Sequence, residues 1–207
     1  MTEVDVIIEI AKGTHIKYEY DKEKNMIVCD RVLHTPMKYP FNYGFVPNTL
    51  SEDGDPLDVV VLMDDELIPG CMIKCKILGY LDTKDDAGVD PKLIVCPLGK
   101  IDPMWNDIDD LFKLEAIQRI NNLSNQDVNA FIGWSENRKL DNLTVNNHTM
   151  IRIKYFFQHY KDLENKCVTV GDFYNKSQAI QIYSDSKNRF TFNTTQKNKI
   201  TSYYTSV

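Results

Sequence analysis

The stretch DGDPLDVVVLM, residues 53–63, puts Asp53, Asp55 and Asp58 together and then runs straight into an unbroken apolar segment. VVVLM is short, β-branched and preceded by Gly and Pro, the pattern of a buried strand. Like charges crowded at the mouth of such a strand cost electrostatic energy. Something elsewhere in the chain must offset that cost. Calcium in an EF-hand is excluded, because that loop needs Gly at its sixth position and Glu at its twelfth. Counted from Asp53, those places hold Asp58 and Asp64. A solvated acidic turn is the plainer alternative.

Working outward, five more strand-like runs appear: VIIEI (6–10), IKYEY (16–20), MIVCD (26–30), CMIKCKILGYL (71–81) and KLIVC (92–96). Turn-forming stretches such as DKEKN, SEDGDP and DDAGVDP separate them. With 58–63 they make six short strands, which predict a small, closed or nearly closed antiparallel barrel. After residue 97 the pattern turns helical. An apolar stripe spans 105–120 through Ile108, Leu111, Phe112, Ile117 and Ile120, and a capping box at Ser124–Asp127 opens a short helix ending near Gly133. Residues 133–150 read as loop. A helix over 150–164 has Ile153, Phe156, Phe157 and Tyr160 on one face, and a last helix runs from near Asn175 towards Arg189. That helix has Ala179, Ile180, Ile182 and Tyr183 as candidate core residues. The expectation is one α+β, mainly β domain over 1–190 with a polar, loosely held tail at 191–207.

The 207 residues suffice for one domain with a real core. Hydrophobic content of 43% with 26% charged residues is ordinary globular composition. A net charge of −6 and a pI near 5.2 argue against a general nucleic-acid binder. No apolar run is long enough to span a bilayer, and the acidic start MTEVD is unlike a signal peptide. Five cysteines (29, 71, 75, 96 and 167) lack metal-ligating spacing. The first four sit in apolar, strand-like context as small hydrophobes. The histidines at 15, 34, 148 and 159 form no metal pattern either. A cytoplasmic protein is expected.

Two further acidic sets tip the balance away from a bland turn. DDAGVDPK brings Asp85, Asp86 and Asp90 with Lys92 to the mouth of another apolar strand, and the first two strands carry Glu9 and Glu19. Lys17 and Glu19 are two apart and share a side of one strand. Carboxylates facing one another across a barrel would repel unless divalent cations lay between them, and an all-oxygen set suits Mg²⁺ or Mn²⁺ rather than zinc. Cations and phenols are interleaved with the acids: Lys17, Arg31, Tyr39, Tyr43, Lys92, Tyr160 and Lys161. A pocket of carboxylates, divalent metal and Lys/Arg/Tyr donors binds a polyanion whose oxygens are shared between metal and side chains. The expected substrate is a small, highly charged phosphate compound.

On these residues the chain resembles the soluble family I inorganic pyrophosphatases. The family's Asp-x-Asp-Pro-x-Asp signature stands intact as DGDPLD. The likeness runs over residues 6–97 and resumes at FFQHYKDLE (156–164) and the last helix. It implies a five-stranded, OB-like closed barrel flanked by helices, and an enzyme that hydrolyses pyrophosphate to two orthophosphates with Mg²⁺. In that family Asp53, Asp58 and Asp90 match metal ligands, with Asp58 bridging two ions. Asp85 matches a further ligand, and Glu9 and Glu19 match acids that hold metal, partly through water. Asp55 matches the general base for the attacking water. Lys17, Arg31, Tyr43, Lys92, Tyr160 and Lys161 match pyrophosphate-binding groups, and Tyr39 a supporting phenol. Attack is direct and in line, without a covalent intermediate, as phosphoryl transfer by positioning and charge neutralisation allows.

The departure from compact bacterial members is a lengthened stretch at 98–155. Together with the C-terminal tail, it leaves open which homo-oligomer forms. Two other readings stand beside the pyrophosphatase. One is a related metal-dependent phosphohydrolase acting on polyphosphate or nucleotides. The other, an OB-type nucleic-acid binding module, expects an exposed basic face with stacking aromatics.

Overall fold

A computed structural model describes residues 2–86, 88–105, 111, 121–122, 147–164 and 166–204. All six expected strands are present: β1 (Glu3–Ile10), β2 (Ile16–Asp21), β3 (Met26–Val32), β5 (Asp58–Val61), β6 (Met72–Asp85) and β8 (Lys92–Pro97). Three more accompany them: β4 (Asn42–Phe45), β7 (Gly88–Val89) and β9 (Thr169–Asn175). Within the main sheet β1 pairs with both β4 and β6, β4 with β5, β5 with β8, and β8 with β6. β7 and β9 add to β6, while β2 and β3 form a separate hairpin.

The barrel was expected to be antiparallel throughout, and that needs correction. β5 and β8 run parallel, with Val59 opposite Leu93 and Val61 opposite Val95. The parallel pair is possible because β6 and the β7 turn carry the chain back between them. Both strands are buried on two faces, as parallel strands are. Val59, Val61, Leu93 and Val95 enter one apolar cluster, whereas Val60, Ile94 and Cys96 enter the other. The period-two alternation of a strand sends successive side chains to opposite cores.

β4 lies in the stretch KYPFNYGF, whose Pro and Gly resemble a loop. Its glycine has a specific job. A Cβ on Gly44 would fall 1.9 Å from the carbonyl oxygen of Ile7 on the neighbouring strand, so only glycine lets β1 and β4 approach this closely.

The helix α1 (Asn147–His159) lays Met150, Ile153, Phe156 and Phe157 into the cluster containing Tyr39 and Tyr43. It stops short of the expected 164. The chain turns at Tyr160, with Asp162 N–H donating to the His159 carbonyl at 3.1 Å and Glu164 N–H to that of Lys161 at 2.9 Å.

The last helix α2 (Lys176–Tyr204) begins as expected, with a reciprocal cap. Asn175 Oδ1 accepts from Gln178 N–H at 3.1 Å, and Gln178 Oε1 accepts from Asn175 N–H at 3.4 Å. Ala179, Ile180, Ile182 and Tyr183 pack on the second cluster. The segment expected as a loose tail instead continues the helix through Tyr204. Its threonines satisfy themselves within the helix, Thr191, Thr194 and Thr195 each donating to the carbonyl four residues back at 2.8–3.0 Å.

Of the stripe at 105–120, Leu111 is buried and donates its N–H to the Leu78 carbonyl at 3.0 Å. Most of the expected helices at 105–120 and 124–133, and the loop at 133–150, fall outside the described residues. The cysteines form no disulfide among the described residues, and Cys29 is exposed on β3 rather than packed as a small hydrophobe. No helix of the described residues is long and apolar enough to cross a membrane.

Candidate active site

The DGDPLD loop is built by short-range bonds, one of them to the Asp53 carboxylate. Asp53 Oδ1 accepts the N–H of Asp55 at 3.0 Å, and Gly54 takes a φ of +93°, which suits glycine. Ser51 N–H donates to the Asp55 carbonyl at 2.7 Å. Thr49 Oγ1 accepts from Leu57 N–H at 2.9 Å and donates to the Val46 carbonyl at 2.6 Å, so the loop returns to its start. α2 braces it from behind, since Arg189 donates to the Leu50 carbonyl at 2.5 Å and reaches Glu52 at 3.6 Å. Leu57 is fully buried, and the next residue, Asp58, opens β5.

A cavity of about 380 Å³ lies over this loop. Asp86 is not on its wall, but every residue matched to a family role is: Glu9, Lys17, Glu19, Arg31, Tyr39, Tyr43, Asp53, Asp55, Asp58, Asp85, Asp90, Lys92, Tyr160 and Lys161. They come from β1, the β2–β3 hairpin, β4 and the segment before it, the loop before β5 and its first residue, the end of β6, the turn into β8 and its first residue, and the turn after α1. Lys22, Asp30 and Lys166 also face the cavity and were not singled out from the sequence. Asp30 adjoins Arg31, which was the available signal.

Acids and cations alternate around the wall. The Lys92 ammonium is buried between Asp58, at 2.5 Å, and Asp90. Tyr43 donates its hydroxyl to Asp58 Oδ2, the oxygen that Lys92 also meets. Lys17 lies between Glu19 and Asp30, the latter at 3.6 Å. Arg31 lies between Asp30 and Glu164, its Nε 2.9 Å from Glu164 Oε2. Lys161 reaches Asp85 at 3.3 Å, and Lys22 meets Asp55 at 3.1 Å. Glu9 accepts the N–H of Tyr20 at 2.7 Å and so joins β1 to the hairpin.

Burial sets the charge states. Loss of solvent pushes the Glu9 carboxyl up to about 8, with repulsion from Asp58 adding to the effect. Burial likewise pushes Asp90 up to about 7 against the opposing pull of Lys92. Asp53 is also raised by desolvation. Lys92 ends above its ordinary value because Asp58 and Asp90 outweigh its burial, so it stays an ammonium. Tyr39, Tyr43 and Tyr160 are raised by burial and stay phenols, donors rather than bases.

The carboxyl shifts give a sign for pH dependence. Folded Glu9 and Asp90 keep protons that the unfolded chain releases near pH 4, so folding takes up protons between there and about pH 8. In chelator, the melting temperature is expected to fall by several degrees as pH rises from about 5 to about 8. With a divalent cation present the trend reverses, because the metal binds the deprotonated carboxylates. Scanning calorimetry over that range checks both halves, and a flat profile in chelator counts against these shifts.

The donor set is all oxygen, which suits a hard divalent cation. Among the described residues no three of these carboxylates converge as a ready-made chelate. That spread fits an ion that keeps much of its water and shares phosphate oxygens with one or two carboxylates at a time.

The chain is similar to known proteins over most of its length. The family model described as inorganic pyrophosphatase matches residues 6–191. An inorganic pyrophosphatase of Helicobacter pylori is 42% identical over 181 residues, covering 86% of this chain and 85% of that one. One from Nanoarchaeum equitans is 39% identical over 189 residues, covering 91% and 98%. Among solved structures, the Helicobacter pylori enzyme superposes with a TM-score of 0.70 at 38% identity, covering 91% and 94% of the two chains. The Thermus thermophilus enzyme gives 0.71 at 30% identity, covering 91% of each.

Proposed function

This chain belongs to the inorganic pyrophosphatase family, and from that premise we propose that it hydrolyses pyrophosphate with Mg²⁺ by direct in-line attack of water. The observation that carries the reading is the convergence of fourteen acids, cations and phenols on one cavity. A pyrophosphate carries several negative charges, and only a wall with cations on every side accepts it.

In this reading Asp53, Asp58, Asp85 and Asp90 hold the cations, with Glu9 and Glu19 contributing partly through water. Bound there, the ions acidify a water and neutralise phosphate charge. Mn²⁺ is a workable substitute. Asp55 accepts the proton of the attacking water, its carboxylate facing the cavity beside Lys22. The oxygen attacks one phosphorus while the opposite P–O bond breaks. Lys17, Arg31, Lys92 and Lys161, with the hydroxyls of Tyr43 and Tyr160, hold the oxygens of both phosphates. Tyr39 packs against Tyr43 and Tyr160 and keeps those phenols in place.

We read the sheet as a closed, five-stranded OB-like barrel. Its support is the circuit of pairings from β1 through β4, β5, β8 and β6 back to β1. Assembly with further copies of itself, residence in the cytoplasm and a single domain over 1–190 also belong to this reading. They are carried by the family likeness.

The test is phosphate release from pyrophosphate with Mg²⁺ and with EDTA, beside tripolyphosphate and ATP. Release from pyrophosphate in Mg²⁺ alone is expected, and Asp55→Asn should slow it about a hundredfold or more as a lost general base does. Comparable rates on ATP or tripolyphosphate would favour the broader phosphohydrolase. A wild-type rate in Asp55→Asn would remove it as base.

A further inference from the structure

The Glu164 carboxylate stands outside the cavity wall and is 3% exposed, yet no role in the reaction as derived so far uses it. A buried carboxylate is costly unless it is paired. Its pairing is narrow. Oε2 lies 2.9 Å from Arg31 Nε, in ionic contact, and among the described residues neither oxygen receives a well-aligned hydrogen bond. The pair joins two segments that are distant in sequence and that both carry phosphate-binding groups. One contains Arg31, and the other is the turn Tyr160–Lys161 that closes α1.

Two lighter contacts run alongside. His34 Nδ1 meets the Leu163 carbonyl at 3.3 Å, and Thr35 Oγ1 donates to the Tyr160 carbonyl at 3.4 Å. Within the turn, the bond from Glu164 N–H to the Lys161 carbonyl ties the carboxylate to the lysine that faces the substrate. A guanidinium has a rigid plane, so a buried carboxylate in ionic contact with its Nε edge restricts where the remaining N–H groups can lie.

We propose that Glu164 is the positioning residue for Arg31, holding its guanidinium from behind and locking the Arg31 segment to the Tyr160–Lys161 turn. This rests on the reading of Arg31 as a phosphate-binding group. Asp30, on the other flank, accepts a hydrogen bond from Arg31 Nη1 but is shared with Lys17, so Glu164 is the second, buried support of the guanidinium.

Glu164→Gln keeps the size and removes the charge. It should raise KM for pyrophosphate and the Kd for inorganic phosphate about tenfold each, with kcat within about threefold and the melting temperature held. Glu164→Asp should recover part of the affinity. In an Arg31→Lys background, Glu164→Gln should add nothing, because the two act through one contact. A melting temperature that drops while KM and the phosphate Kd stay put would make the pair purely structural and overturn the proposal. Full multiplication of the two losses in the double variant would overturn it as well. Wild-type turnover of pyrophosphate tests the proposed function separately, and phosphate binding reads the Glu164 effect whether or not turnover is seen.

Discussion

Asp58→Asn is expected to lower kcat for pyrophosphate about a thousandfold while the protein stays folded. Asp58 is the first residue of β5, held opposite Phe45 of β4 by strand pairing, so its carboxylate enters the cavity from a rigid element. One oxygen receives both the Tyr43 hydroxyl and the Lys92 ammonium. Asparagine preserves the shape and can still accept from Tyr43, but it brings no charge to a cation or to Lys92. Lys92 keeps its second partner, Asp90, and the fold therefore survives. Phosphate release at saturating Mg²⁺, with circular dichroism beside it, reads both quantities. Turnover near the wild-type level would end the assignment of Asp58 as a metal ligand.

Lys92→Met should do more harm to stability than to any single catalytic quantity. Its ammonium is about as buried as a side chain can be and meets two carboxylates. Removing one partner of a buried ion cluster leaves the others uncompensated, at a cost of about 3–5 kcal/mol. Methionine fills the space, so cavity formation adds little. The loss should be largest in EDTA at alkaline pH, where Glu9 and Asp90 give up their protons. Mg²⁺ should return part of it by supplying positive charge to the same acids. Denaturant unfolding in EDTA and in Mg²⁺ checks this. If the variant is as stable as the wild type in EDTA, Lys92 is not what holds those carboxylates together. Activity should fall as well, because in the proposed reading the same ammonium holds phosphate oxygens.

The acids were legible because local propensity disfavours them where they stand. Glu9 and Glu19 sit in strands and Asp58 precedes three valines, so each needs a reason beyond packing. Arg31, Lys92 and the tyrosines became meaningful only together, and the family likeness supplied their roles.

What the sequence concealed was mostly non-local. β4 looks like a loop because Gly44 and Pro40 are turn residues. The reason for Gly44 is the backbone of Ile7, thirty-odd positions away. β9 reads TVGDFYN, with a glycine and an aspartate. It earns strand geometry only by pairing along β6 from Gly79 to Lys84. The parallel pairing of β5 with β8 has no local signature at all. The continuation of α2 was hidden by threonines, whose helix propensity is low although their hydroxyls find carbonyls four residues back. Glu164 was passed over within YKDLE because nothing nearby announces that its partner is Arg31.

The parallel β5–β8 pair has a kinetic consequence. Asp58 and Asp90 come together around Lys92 only after the chain has closed the long excursion through β6 and its turn, and contacts of such span are slow to form because loop-closure entropy precedes their reward. The nascent chain thus carries its acids as separate, solvated clusters with little grip on divalent ions. In the proposed reading, chelation would belong to the finished fold and would slow unfolding rather than nucleate folding.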